Sequence, residues 1–281
     1  PSPYRVWLSE IMLQQTRVEA VIPYFLRFVR AIPDISALAA ASEEQLHKLW
    51  EGLGYYSRVR NLQKAAKQIM ERYDGALPPS YELLLDLCGI GPYTAGAIAS
   101  IAFGIPVPAV DGNVLRVLSR IFASEADIGA ATVKKEYQEL LYRTMPQDKP
   151  GDFNQALMEL GATVCLPNGK PKCEDCPIAF GCLGYQQGNP TLYPVKAEKK
   201  PRRTELKTVL VLCTPQGVLM HKRPSSGLLA GLWEFPNLNG HLTKQEVKDY
   251  LKSRGIQEKS IEPLKPTKHI FTHIEWQMTG Y

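Results

Sequence analysis

Leu87-Cys88-Gly89-Ile90-Gly91-Pro92-Tyr93-Thr94-Ala95 decides how the first half of the chain is read. Ser80 opens a short helix that runs through Leu87 into a tight turn made by two glycines one residue apart. Pro92 then sits where the first position of a new helix tolerates a residue without an N–H. Glycine lets the backbone approach a ligand closely, and the free N–H groups at the next helix start suit a phosphate. The turn is either the hairpin of a helix-hairpin-helix element, which positions a nucleic-acid backbone without reading its sequence, or a plain connection between helices.

Outward from that turn, from Val6 to about Cys165, apolar residues recur with a helical period. Start and stop signals return every ~15 to 20 residues, which predicts about eight or nine helices and few strands. Ser42 with Gln45 opens one helix and Gly52 ends it, and Leu62, Ala65, Ala66, Ile69 and Met70 make the stripe of another. Asp111, Thr132 and Asp152 each precede an apolar-periodic run as candidate caps. In Val110-Asp111-Gly112-Asn113-Val114 the carboxylate at a helix start is an N-cap, a role compatible with catalysis. In Ser9-Glu10-Ile11-Met12-Leu13-Gln14-Gln15-Thr16, Glu10 stands in apolar company. Desolvation there raises a carboxyl pKa and makes a proton donor near neutral pH, the alternative being a solvated first-turn glutamate.

Residues 186–205 change character: Gly188, Asn189, Pro190, Pro194 and Pro201 interrupt them, and Lys196, Lys199, Lys200, Arg202 and Arg203 make them basic. The expected organisation is a helical region over 1–190, a basic linker over 191–205 and a second domain over 206–281. That domain opens with strands at 208–213 and 218–223 around a Pro215-Gln216-Gly217 turn, has a helix from Lys244 to Arg254 stopped by Gly255, and ends in a further strand pair, so that it reads as truncated.

Composition excludes several classes. With 44% hydrophobic residues the chain is not disordered. The longest apolar candidate, Ala95 to Val110, is cut by Gly96, Gly104, Pro106 and Pro108, short of the ~18 residues a membrane span needs. A net charge of +5 allows a polyanionic partner without requiring one. The opening Pro1-Ser2-Pro3-Tyr4 carries no signal-peptide pattern, so the chain reads as part of a longer cytoplasmic protein.

Cys165, Cys173, Cys176 and Cys182 are separated by seven, two and five residues. Four thiolates bunched in this way point to a metal site in a reducing compartment, either an iron–sulfur cluster or tetrahedral zinc.

Taken together, Ser9–Thr16, Gly52-Leu-Gly-Tyr-Tyr-Ser-Arg58, Gly89-Ile-Gly-Pro-Tyr-Thr94, Val110-Asp-Gly-Asn113 and the four cysteines resemble the adenine DNA glycosylases of the MutY type, in the helix-hairpin-helix/endonuclease III superfamily. The likeness covers nearly the whole chain. It implies a mainly α region of two lobes flanking a DNA cleft, plus an α+β Nudix-like domain, here partial. It implies a [4Fe–4S] cluster on Cys165, Cys173, Cys176 and Cys182, although the family's first cysteine gap is usually six residues and this one reads as a one-residue insertion. Cys88 and Cys213 are expected to be packing residues.

By similarity, Glu10 protonates the flipped adenine and helps activate water, Asp111 stabilises the cationic sugar, and Tyr93 and Asn113 complete the pocket. Endonuclease III has at the position of Tyr93 a lysine that forms a Schiff base. Its absence implies a monofunctional enzyme that leaves an abasic site. Gln15, Thr16 and Tyr55, with the hairpin glycines Gly89 and Gly91, would contact DNA; Arg58 and Arg60 would lie on a solvated face or touch phosphate. Phe271, Thr272 and His273 match the loop that reads 8-oxoguanine opposite the adenine. A Nudix hydrolase needs a glutamate-rich helix for Mg²⁺, and after Pro236 the helix offers Glu246 alone. The expected partner is duplex DNA holding an 8-oxoguanine:adenine or guanine:adenine mismatch, bound by a monomer that is cytoplasmic and nucleoid-associated if bacterial. The alternatives are a bifunctional pyrimidine-lesion glycosylase/lyase and a non-catalytic iron–sulfur DNA-binding protein.

Overall fold

The computed structural model describes residues 2–198, 201–224 and 226–281. Lys199 and Lys200 of the expected basic linker lie outside the described residues. The chain divides into two units, residues 1–197 and 198–281.

The first unit is helical, with no strand among its described residues. Its main helices are α1 (Pro3–Leu13), α2 (Val18–Ala31), α3 (Ile35–Ala40), α4 (Glu43–Trp50), α5 (Ser57–Arg72), α6 (Tyr81–Leu85), α7 (Pro92–Phe103), α8 (Gly112–Ile121), α9 (Ala131–Thr144) and α10 (Pro150–Glu159). Ser42, Ser80 and Asp111 cap α4, α6 and α8 as expected, each accepting a backbone N–H with its side chain. Thr132 and Asp152 do not cap. Ala130 and Lys149 precede α9 and α10, so both expected caps fall inside the first turn.

Two apolar cores form the two lobes. One gathers Trp7, Phe28, Trp50, Leu62 and Ile98 from α1, α2, α4, α5 and α7. The other gathers Val114, Leu118, Tyr137 and Leu141 from α8 and α9. Gly96 permits a close backbone approach: a Cβ on it would stand 2.5 Å from the Pro108 carbonyl oxygen. Wholly buried Asn154 on α10 binds the same stretch, accepting from Ala109 N–H at 3.0 Å and donating to Ser100 Oγ at 2.7 Å and Val107 O at 2.9 Å. The chain entering Asp111 is thereby held against α7 and α10.

After α10 the chain makes a π-helical turn (Leu160–Val164), the cysteine loop and a short helix α11 (Leu183–Gln186). Residues after 190 still bind this unit, since the Arg120 guanidinium donates to Tyr193 O and Ile128 N–H to Val195 O.

In the second unit, β1 (Arg203–Val209), β6 (Asn237–Asn239), β7 (Leu264–Ile270) and β8 (Ile274–Gly280) form a sheet in the order β6-β1-β8-β7, with β1 and β8 parallel. The first strand therefore starts inside the stretch read as linker and ends earlier than expected. Leu210 follows it into a small core with Val247 and Leu251 of α12 (Lys244–Ser253). The Pro215-Gln216 turn joins β2 (Cys213–Thr214) to β3 (Gly217–Val218), as expected. The predicted strand over 218–223 is broken, because His221–Lys222 (β4) leaves that hairpin to pair with Trp233–Glu234 (β5). Cys213, expected to pack, is exposed on β2.

Candidate active site

A cleft of about 600 Å³ is lined by Glu10, Gln15, Thr16, Tyr93, Asp111 and Asn113. These six were singled out from three distant stretches of sequence, and the fold brings them together.

Glu10 is 8% exposed on α1, the helix whose other face fills the first core. Burial is the largest influence on its carboxyl and raises its pKa; a hydrogen bond from Tyr93 opposes this, and the nearby Asp111 charge adds to it. The Tyr93 hydroxyl donates to Glu10 Oε2 at 2.6 Å and lies 3.2 Å from Met158 Sδ. Burial, then the Glu10 charge, raises the pKa of this phenol, which keeps it a donor. Tyr93 reaches Glu10 because it is the second residue of α7, placed there by Pro92 at the helix start.

Asp111 has both carboxylate oxygens engaged. Oδ1 accepts from Val114 N–H at 2.8 Å, and Oδ2 accepts from Asn113 Nδ2 at 2.8 Å. The cap and the pocket carboxylate are thus one residue, held at the positive end of α8. Asn113 is oriented in turn by Arg116, whose Nη2 donates to Asn113 Oδ1 at 2.8 Å and to Gly161 O at 2.6 Å. Arg116 Nε also donates to Cys165 O at 2.7 Å.

Arg58 is neither solvated nor presented to phosphate: it is 8% exposed. Its guanidinium donates to the carbonyls of Ile11, Met12 and Gln14 at the end of α1, and to those of Leu53 and Gly54. One side chain therefore ties together the two loops that carry Gln15 and Tyr55. Both of those residues adopt left-handed backbone, at φ 56° and 48°, and Tyr55 is 51% exposed. Non-glycine residues in this region cost free energy and cluster at functional sites. Thr16 is half-buried, its hydroxyl donating to Gln14 O at 3.3 Å. Arg58, Arg116 and Asn154 escaped the sequence reading as positioning residues; the available signal was a polar residue in the buried register of an amphipathic helix, as with Arg58 beside Val59 and Leu62.

At the hairpin, Gly89 has φ 78°, and a Cβ on it would lie 2.7 Å from Asn61 Cβ. Gly91 caps α7 and is exposed, with open space where a Cβ would be, so its backbone is free to approach a ligand. Cys88 packs against the first core, as expected.

Cys165, Cys173, Cys176 and Cys182 are all unpaired and line one small cavity of about 30 Å³. Among the described residues no three His, Cys, Asp or Glu side chains lie close enough to share a single metal ion. Four thiols around one cavity are a soft donor set that suits either an iron–sulfur cluster or tetrahedral zinc. Arg120 Nη1 donates to Cys165 Sγ at 3.2 Å.

In the second unit, Phe271, Thr272 and His273 form the bend between β7 and β8, closed by Phe271 N–H to Ile274 O. Phe271 is half-buried against His269 and Trp276, with ring centroids 4.5 and 5.1 Å away, while Thr272 and His273 are exposed. Glu246 is spent in a capping box with Thr243 at the start of α12.

Residues 8–143 match the HhH-GPD superfamily of base excision DNA repair proteins and residues 208–281 the NUDIX domain. The adenine DNA glycosylase of Mus musculus is 39% identical, covering 97% of this chain and 62% of its own length. That of Homo sapiens is 38% identical over 97% and 59%, and that of Buchnera aphidicola (Schizaphis graminum) 36% identical over 96% and 77%. This chain thus spans about 60% of the length of its mammalian relatives. Among solved structures, a thermostable thymine-DNA glycosylase is 29% identical with a TM-score of 0.60, covering 66% of this chain and 85% of that one. An endonuclease III–DNA complex shares the fold at 24% identity and a TM-score of 0.59, over 67% and 86% of the two chains.

Proposed function

The chain belongs to the adenine DNA glycosylase family, and from that membership and the cleft geometry we propose that it hydrolyses the N-glycosidic bond of adenine mispaired with 8-oxoguanine or guanine in duplex DNA. The observation that carries this reading is the pair of carboxylates in unlike settings, Glu10 buried under a Tyr93 hydrogen bond and Asp111 fastened at a helix N-terminus, lining one cleft. An acid and an anion on the two sides of a glycosidic bond are what its cleavage needs.

The adenine must first leave the stack, since its glycosidic bond is unreachable inside a duplex. The N–H groups at the start of α7 and the Gly89–Gly91 backbone hold the phosphate chain, and the exposed Gln15 and Tyr55 fill the space the base vacates. Glu10, whose protonated form its burial favours, then gives its proton to the base. The C–N bond breaks with its electron pair passing to adenine. The Asp111 carboxylate stabilises the oxocarbenium character left on the sugar. Water adds to the anomeric carbon and its proton passes to Glu10, which restores the acid. Tyr93 positions Glu10 and carries no amine, so no imine forms with the sugar and the product is an abasic site rather than a cut strand.

Cys165, Cys173, Cys176 and Cys182 would hold a [4Fe–4S] cluster, which when bound would knit residues 165–182 together by its iron–thiolate bonds. In the Nudix-like unit, Thr272 and His273 are exposed at a tight bend and would read the 8-oxoguanine, and Glu246, engaged in its cap, supplies no Mg²⁺-dependent hydrolysis. The reading places the protein in the cytoplasm as a monomer.

The test is single-turnover release of adenine from a duplex with one adenine opposite 8-oxoguanine, with a guanine-opposed control and an alkali step. Alkali-dependent cleavage of the adenine strand, faster opposite 8-oxoguanine, is expected. Cleavage without alkali, trapped by borohydride, would favour the lyase reading, and tight binding without cleavage would favour the binding-protein one.

A further inference from the structure

The Tyr93 phenol has one proton and two partners. Its oxygen lies 2.6 Å from Glu10 Oε2 and 3.2 Å from Met158 Sδ, and among the described residues it has no third partner. Burial and the Glu10 charge raise the pKa of the phenol, so it keeps its proton at any working pH. A hydroxyl gives one proton and accepts through its lone pairs, so the two contacts cannot both be donations at once. Which one is made depends on the state of Glu10. A Glu10 carboxylate draws the Tyr93 proton, because a charged acceptor makes the stronger hydrogen bond. With Oε2 protonated the direction reverses: Glu10 donates to the phenol oxygen, and the Tyr93 proton must turn to another acceptor.

The other acceptor within reach is the Met158 sulfur. Met158 is half-buried on α10 and lines the same cleft. Gly151 lets α10 lie close on α7, since a Cβ there would stand 2.8 Å from Ser100 O. Asn154, one turn before Met158 on the same face of α10, is locked to Ser100 Oγ and Val107 O. The sulfur is therefore placed by the same packing that places Tyr93. A thioether accepts weakly, so it holds the hydroxyl without outcompeting a carboxylate.

The groups around Glu10 leave this arrangement intact. Tyr93 of α7 and Asp111 at the start of α8 act on its carboxyl, and the Asp111 charge favours the protonated form. Glu159 of α10 lines the cleft, and α2 brings the apolar Val18 to it. Arg58 of α5 is engaged with the carbonyls that end α1.

We propose that Met158 is a positioning residue for the acid step, its sulfur accepting the Tyr93 hydroxyl proton while Glu10 is protonated, so that the phenol oxygen is free to hold the carboxyl proton. This rests on the reading of Glu10 as the acid. When the Glu10 O–H bond breaks and the proton joins adenine, the electron pair stays on the carboxylate, and the Tyr93 hydroxyl turns from sulfur back to it. Tyr93 and Met158 exchange no atom with the substrate; only a hydrogen bond changes direction.

The test is a pH titration of the Glu10 carboxyl carbon in the full chain labelled with ¹³C-glutamate, assigned by its loss in Glu10→Gln, for the parent and for Met158→Leu. Leucine fills nearly the same volume and offers no acceptor. Protonating Glu10 then leaves the phenol hydroxyl without a partner, so the Glu10 midpoint should fall by about half a pH unit. The alkaline limb of single-turnover adenine release should move with it, which makes release about threefold slower on that limb. In a Tyr93→Phe background the phenol is gone, and the same substitution should leave the midpoint in place. The proposal falls if Met158→Leu titrates within about 0.2 units of the parent, or if its shift persists without the phenol. A shifted midpoint in a chain that releases no adenine would support the Met158 contact and sink the glycosylase reading instead. Should Met158→Leu not fold, Met158→Ile is titrated in its place against the same thresholds.

Discussion

Replacing Arg58 with lysine separates a clamp from a surface cation, because it keeps the charge and removes the fork. In the structure five backbone carbonyls, of Ile11, Met12, Gln14, Leu53 and Gly54, accept from this guanidinium at 2.7 to 3.2 Å. The two terminal nitrogens carry four N–H and serve the five carbonyls by sharing, whereas an ammonium carries three on one atom, so one to two carbonyls lose their partner. A buried acceptor left unpaired costs about 1–3 kcal/mol, which puts Arg58→Lys at roughly 1–6 kcal/mol. For a unit of this size each kcal/mol moves the melting temperature by about 2–4 °C, so a fall on the order of 10 °C is expected. Thermal melts followed by circular dichroism read it directly, and Arg58→Gln, with a two-donor neutral head, should fall further. A melting temperature within about 2 °C of the parent would refute the clamp. A reversed order, with glutamine above lysine, would mean that burying the charge rather than losing donors sets the stability.

Asp111→Asn should lower single-turnover adenine release by about 10²-fold or more while duplex affinity holds, since the carboxylate serves the transition state; parallel losses in both would contradict that. Glu10 carries a pKa raised by burial, so the folded state resists ionising it and loses stability as pH climbs from the unfolded value of about 4.5 through the folded one. Glu10→Gln removes this cost: its melting temperature relative to the parent should improve from about pH 4 to pH 8, and a difference that is flat with pH would count against a desolvated carboxyl. At Gly161 an added Cβ would meet Asn113 Cβ at 2.6 Å and its Cα at 3.1 Å. Gly161→Ala should therefore cost about 1–3 kcal/mol and slow the reaction by pushing Asn113 off Asp111, whereas a parental melt and rate would show that the turn yields. Purified under anaerobic conditions, the chain should carry about four irons with matching sulfide, and stoichiometric zinc in their place would overturn the cluster assignment.

Much of the site was legible locally. A glycine pair before Pro92, a carboxylate ahead of an apolar-periodic run at Asp111, and four cysteines bunched between 165 and 182 each state their chemistry over a short stretch, because turns, caps and thiolate loops are built from neighbours along the chain. The second unit was less legible. Its strands are two to seven residues long, and β4 takes β5 as partner rather than continuing β3, a choice made across the sheet and invisible in the run from Val218 to Arg223.

What the chain order could not specify is which polar side chains the fold would bury. Arg58 reads as one more cation in a basic helix until α1 and the loop of residues 53–55 close on it. Asn154 and Arg116 are likewise ordinary until α7, α8 and α10 pack. Sequence by itself determined the helical character of the first half, the carboxylates, the tyrosine in place of an amine and the thiol set. Only the tertiary structure decided that Tyr93 would hold Glu10, that Arg116 would tie Asn113 to Gly161, and that one guanidinium would pin the loops of Gln15 and Tyr55. The reason is physical: a hydrogen bond between groups dozens of residues apart exists only once packing has brought them together and removed the water that would otherwise satisfy them.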